Sequence, residues 1–120
     1  MSWMQTPSLA MLERFLDLTA FRQTLVVSNL ANIDTPRYRT VDMDFGESLR
    51  NAAWQLDSAP VAPVAREVPG LVERPDGNNV SLERETLLLA ETQMRFRIAV
   101  ELVRGEIRRV RTAIEEGKQG

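Results

Sequence analysis

Ser28-Asn29-Leu30-Ala31-Asn32-Ile33-Asp34-Thr35-Pro36-Arg37-Tyr38 is where the chain changes character. Leu30 and Ile33 continue a helical apolar spacing that begins far upstream. Asn29, Asn32 and Asp34 carry short polar side chains that hydrogen-bond nearby backbone, so they suit caps and turns better than helix interiors. Pro36 has no N–H to donate and biases Thr35 toward extended geometry. The stretch therefore reads as the end of a long helix followed by a fixed turn, with Tyr38 as a packing anchor. Asn29 and Asn32 lie three apart on one helix face. Two roles are open to them: capping the helix end, or bonding a neighbouring subunit or the C-terminal helix to fix register.

Upstream, Leu9, Leu12, Leu16, Val26, Leu30 and Ile33 follow a 3-4 spacing interrupted by Thr19 and Gln23. Met11, Phe15, Leu18 and Leu25 widen the apolar face. The spacing predicts a helix over 8–33, with Ser8 as N-cap and a length of roughly 37 Å.

Downstream, residues 39–80 read as an irregular middle. Asp42 and Asp44 alternate with Met43 and Phe45, and a solvated loop face is the reading for the two carboxylates. Gly46 to Leu56 is a candidate short helix. Val64 to Val68 and Leu71 to Glu73 flank Pro69-Gly70, which leaves a small β-hairpin and an unstructured linker as the two readings. Asp76-Gly77-Asn78-Asn79-Val80-Ser81 is a turn that hands over to a second helix over 81–116, with Ser81 as N-cap and Glu83 and Glu85 in the first turn. Leu82, Thr86, Leu89, Gln93, Phe96, Val100, Val103, Ile107, Val110 and Ile114 keep a 4-3 spacing for about five heptads, a coiled-coil seam by pattern.

The expected fold is therefore a single mainly α unit. Two long terminal helices form a coiled-coil-like antiparallel pair around the irregular middle. Leu87, Leu88, Met94, Ile98 and Leu102 lie off the seam. Each large apolar side chain is worth about 1.5–3 kcal/mol when fully buried, more than a lone helical hairpin can collect here. Other chains are expected to complete the burial. Gly105 sits inside the second helix, where it costs about 1 kcal/mol relative to Ala. Close approach of another helix and a tolerated surface glycine are both open.

With 120 residues the chain supports one small domain, and 43% apolar with 27% charged residues is compatible with folding. The net charge of -2 gives no overall drive toward nucleic acid or anionic lipid. There is no cysteine, which excludes disulfides and thiol catalysis, and no histidine, which removes the commonest general base and metal ligand. No nucleophile–base pair, phosphate loop or metal spacing stands in for them, so no catalytic, cofactor or metal residue is assigned. No apolar run reaches the roughly 18 residues of a membrane span. Met1-Ser2-Trp3-Met4-Gln5-Thr6-Pro7 has neither the basic start nor the cleavage site of a signal peptide. Arg95, Arg97, Arg104, Arg108, Arg109 and Arg111 make residues 95–111 basic. Aromatic residues are not interleaved for stacking, and Glu91–Arg95 and Arg97–Glu101 have ion-pair spacing, so nucleic-acid binding is not the reading.

The run Asn29-x-x-Asn32-x-x-Thr35-Pro36-Arg37-Tyr38 resembles the signature of the axial proteins of the bacterial flagellum, the rod, hook and hook-associated family. Arg37 stands where that family usually has Gly. The second run, Gly77-Asn78-Asn79-Val80-Ser81-Leu82-Glu83-x-Glu85, then Leu89-Ala90 and Gly105-x-Ile107, is similar to the short proximal-rod members. Ser81 replaces the Asp common there, and the middle matches only at Asp42-x-Asp44-Phe45. The resemblance implies a non-enzymatic structural subunit without cofactors, located in the basal-body rod and exported without a cleaved signal. The partners it implies are further copies of the chain, the rod proteins FlgC, FlgF and FlgG, the rod-base protein FliE and the flagellar type III export apparatus, with no nucleic acid and no membrane insertion. A self-contained coiled-coil adaptor is the alternative that the helical pattern also allows.

Overall fold

A computed structural model describes residues 6–119 of the chain. Residues 1–5, on which the signal-peptide reading mostly rests, lie outside the described residues. The elements are α1 (Pro7–Ala31), β1 (Val41–Asp42), α2 (Phe45–Trp54), β2 (Arg66–Glu67) and α3 (Leu82–Gln119). The two long helices run antiparallel. Asn29 near the end of α1 bonds Glu85 in the first turn of α3, and Leu9 lines one cavity with Ile107, Val110 and Ile114. The molecule measures 71 × 25 × 17 Å.

The helix ends follow local chemistry. Thr6, not Ser8, caps α1: its Oγ1 accepts from Leu9 N at 3.1 Å, and Pro7 sits just inside, where a missing N–H costs nothing. Asn32 closes the helix with its own N–H on Ser28 O and its Nδ2 on the same carbonyl at 2.8 Å. Ser81 Oγ accepts from Arg84 N at 3.2 Å and caps α3. Asp44 caps α2 through Glu47 N at 2.9 Å.

Of the two readings for the stretch around Pro69-Gly70, the hairpin between its flanks does not form. Arg66–Glu67 pairs instead with Val41–Asp42, antiparallel, with Val41 opposite Glu67 and Asp42 opposite Arg66. Val68 N continues the pairing to Thr40 O at 3.0 Å. The 40–42 segment is already held extended by side chains of α1 and of the 77–79 turn, so it offers a fixed edge. Leu71–Glu73 carries no regular structure and leads into the 76–79 turn.

The core is small. Leu18, Met43 and Phe45 are buried together, with Phe15, Phe21, Leu25 and Leu49 against them. Phe15 and Phe45 meet edge to face at 5.5 Å, and the Arg95 guanidinium of α3 lies 4.5 Å over the Phe45 ring. The α1–α3 seam is only part of the one predicted. Leu89, Phe96, Val103, Ile107, Val110 and Ile114 are half-buried, but Leu82, Thr86, Gln93 and Val100 face out. The buried line instead runs through Glu85, Thr92 and Ala99. One end of the seam is occupied by polar groups, so the contact line rotates away from the most apolar stripe. On α1, Val26 is buried while Leu9, Leu12, Leu16 and Leu30 are half-buried.

Candidate functional site

Where α1 ends, the two sequence runs meet. Asn29 is fully buried, and its amide is completely used. Nδ2 donates to Val41 O at 2.8 Å and Glu85 Oε1 at 2.7 Å, while Oδ1 accepts from Val41 N at 3.1 Å and the Tyr38 hydroxyl at 3.0 Å. One side chain thus pairs with both backbone groups of Val41, as a neighbouring strand would, and ties α3 to them. A buried amide with every bond satisfied specifies one arrangement, because any other leaves orphans.

Asn78 and Asn79 complete the other side. Asn78 Nδ2 donates to Asn32 O at 2.9 Å and Thr35 O at 2.8 Å, a second bond to two carbonyls of the turn that ends the helix. Its Oδ1 accepts from Val80 N at 2.8 Å. Asn79 Oδ1 accepts from Thr40 N at 2.6 Å. Asn32 Oδ1 accepts from Thr35 Oγ1 at 3.0 Å, and Thr35 O accepts from Tyr38 N at 3.2 Å, so the turn after the helix is closed from within. Pro36 sits exposed in that turn.

Arg37 adopts φ 64°, a left-handed conformation that favours glycine, and this is the position where the resembled family carries Gly. Gly77, at φ 86°, packs on it: a Cβ added there would lie 3.1 Å from Arg37 Cγ and 3.3 Å from Arg37 Cα. Gly77 is therefore required both for its backbone angle and for lack of a side chain.

Sequence reasoning missed the charges around this junction. Asp42 is not on a solvated face. Arg22 reaches it with Nε at 3.2 Å and Nη2 at 3.0 Å, and Arg84 Nη2 with a 2.6 Å bond. Arg84 Nη1 bonds the fully buried Glu85 at 2.6 Å. Two carboxylates and two guanidiniums thus form a neutral chain from α1 through β1 to α3. Burial pushes the Asp42 carboxyl up, but bonds from Arg22, the Met43 N–H and Arg84 outweigh it and hold it below the usual range. For Arg84, burial acts downward, and its bonds to Glu85 and Asp42 outweigh that and raise its pKa. Arg74 was missed too. Its guanidinium joins Val80 O at 2.8 Å and Ile33 O, stitching the ends of the two helices. The signal for Glu85 was legible: a charged residue at seven-residue spacing with Thr92 and Ala99, a line too polar to be read as core.

Other ion pairs differ in detail from expectation. Arg39 pairs with Glu73 at 3.3 Å. Glu91–Arg95 forms at 2.6 Å, but Glu101 takes Arg104 rather than Arg97. The remaining seam residues do not belong to this junction. They run along the hairpin toward its far end, where Leu9 and Leu12 face 102–118 across two partly open cavities. On the outside of α3, Leu87, Met94, Ile98 and Leu102 are 69, 61, 53 and 55% exposed. Among the described residues no cluster of three or more acidic or sulfur or imidazole groups could hold a metal, and no helix is long and apolar enough to cross a membrane.

The chain has relatives with names. No protein-family model matches it. It is 32% identical over 107 residues to the flagellar basal body rod protein FlgB of Cereibacter sphaeroides (strain ATCC 17029 / ATH 2.4.9), covering 78% of this chain and 83% of the relative. It is 27% identical to the protein of the same name from Bacillus subtilis (strain 168), covering 89% and 92%. The Escherichia coli (strain K12) protein of that name is 26% identical over 85% of this chain and 88% of its own length. The two asparagine runs that meet at the end of α1, the mainly helical hairpin and this similarity agree: the chain belongs to the FlgB family of flagellar basal body rod proteins.

Proposed function

We propose that the chain is a non-enzymatic structural subunit of the proximal rod, one rod-type unit that assembles by helix packing into the shaft carrying torque from motor to hook. The observation that carries this reading is the outer face of α3, where four large apolar side chains stand more than half exposed on a helix that the rest of the chain does not cover. Such a face loses free energy by leaving water, at about 25 cal/mol per Å² of apolar surface. A long, thin hairpin with a small core gains stability from neighbours and is easily threaded unfolded through a narrow export channel. Close-packed helices resist shear, which suits a rotating shaft.

In this reading the protein leaves the cell without a cleaved signal, through the flagellar type III export apparatus, and assembles in the periplasmic part of the basal body. Its neighbours are further copies of itself, FlgC, FlgF and FlgG, and FliE at the base. Complementation of a rod-deficient cell tests it. Motility should return, and the protein should fractionate with basal bodies. A protein that leaves the cell immotile and sediments as a discrete closed dimer would refute the reading in favour of a coiled-coil adaptor.

A further inference from the structure

The two-stranded sheet has two outer edges, and only one of them is closed. In an antiparallel pair, successive residues turn their main-chain groups alternately toward and away from the partner strand. Val41 lies opposite Glu67 and Asp42 opposite Arg66, and Val68 N donates to Thr40 O at 3.0 Å. With that register Arg66 and Val68 point their main-chain groups at β1, while Ala65 and Glu67 point theirs away. On β1 the matching outward residue is Val41, whose N–H and C=O are both taken by the Asn29 amide. On β2 no side chain plays that part. Among the described residues no hydrogen bond reaches the outward main-chain groups of Ala65 and Glu67, and both residues are exposed.

The open edge is short and framed. Pro63 lies two residues before Ala65 and Pro69 two after Glu67, so both fall on the same edge, and neither has an N–H to donate. Prolines so placed keep a strand edge from pairing along its length. What remains is a two-residue slot with a fixed register. Val64 and Arg66, on either side of Ala65, line a cleft of about 490 Å³ between α1, α2 and residues 60–66. Leu18 and Ala52 add apolar surface to it, and Asp17, Asp44 and Glu47 add carboxylates. Among the described residues none of the three has an ion-pair partner. Of the two guanidiniums in the cleft, Arg14 spends Nη2 on Ser58 O at 2.6 Å, and Arg66 belongs to β2 itself.

We propose that the free edge of β2 takes an extended segment of a partner protein as a third strand, paired at Ala65 and Glu67, with a basic side chain of that segment reaching the carboxylates of the cleft. Main-chain pairing supplies the attachment, and the cleft selects the side chain. The contact is made by the middle of the chain. It goes beyond the rod reading and does not rest on it.

Full-length ¹⁵N-labelled chain is titrated with a capped Lys-Val-Lys-Val-Lys-Val peptide and followed by its amide resonances and hydrogen exchange. The Ala65 and Glu67 amides should shift and exchange more slowly, while Val68, already bonded to Thr40, stays unchanged. The same peptide fully N-methylated should bind roughly tenfold more weakly, since it cannot donate to the edge. A Glu-Val repeat should not bind. Ala65→Pro removes an outward N–H and leaves the β1–β2 ladder in place, so it should weaken binding with an unchanged circular dichroism spectrum. Glu47→Gln should lower both the affinity and its salt dependence. Still amides at Ala65 and Glu67, equal binding of the N-methylated or Glu-Val peptide, or full binding by Ala65→Pro would overturn the proposal. So would shifts that grow with protein concentration in the absence of peptide, which would make the edge a contact between copies. Complementation scores the rod reading separately, so failure of either leaves the other standing.

Discussion

Replacing Asn29 by Ala removes the side chain that holds three segments together. Glu85 keeps Arg84 but loses its bond to α1, the Tyr38 hydroxyl loses its acceptor, and Val41 loses partners for both N–H and C=O. Each buried polar group left without a partner costs about 1–3 kcal/mol. Val41 and Tyr38 are only half-buried, so water recovers part of their loss, whereas Glu85 is fully enclosed. The expected destabilisation is about 3–5 kcal/mol, a large share of the roughly 5–15 kcal/mol of a typical domain. Urea unfolding followed by helical circular dichroism measures it. With m of about 1–3 kcal/mol/M, the midpoint should fall by roughly 2 M. Asn32→Ala is the internal control. Its bonds to Ser28 O and the Thr35 hydroxyl are solvent-accessible, so it should cost only about 1 kcal/mol. Equal costs at the two positions would refute the reasoning, because the argument depends on enclosure and not on residue type.

The other expectations are as follows. Gly77→Ala should destabilise by about 1–3 kcal/mol, and more than Gly70→Ala, since both have positive φ but only Gly77 abuts Arg37; thermal melts of the two variants compare them. Asp42 has a folded-state pKa below its unfolded one, so its contribution is present above an unfolded value of about 3.9 and is lost as pH falls through the folded value. Unfolding free energy measured from neutral to strongly acidic pH should therefore drop less steeply in Asp42→Asn than in the unmodified chain. Val103→Asp should weaken the folded hairpin itself, because Val103 is half-buried against α1, while Val100→Asp should leave the fold intact. Loss of motility with Val100→Asp and an unchanged melt would then report on assembly alone.

Sequence by itself determined the mainly helical hairpin, because 3-4 apolar spacing over long runs and Ser, Asn and Pro punctuation are local properties of the chain. It also marked Asn29, Asn32, Asn78 and Asn79 as unusual. It gave no sign that the four converge, nor that Asp42, Arg22, Arg84 and Glu85 form one charged chain, because bonded partners such as Asp42 and Arg84 lie 42 residues apart and ion pairing leaves no periodic trace. The strand partner of Val41–Asp42 was equally hidden. A two-residue strand has no pattern of its own and pairs with whatever fixed edge packing provides. The tertiary structure also decided which stripe of α3 turns inward. Glu85 is bound at one end of the helix, and the buried line runs from it through Thr92 and Ala99, which leaves Val100, Leu87, Met94, Ile98 and Leu102 exposed.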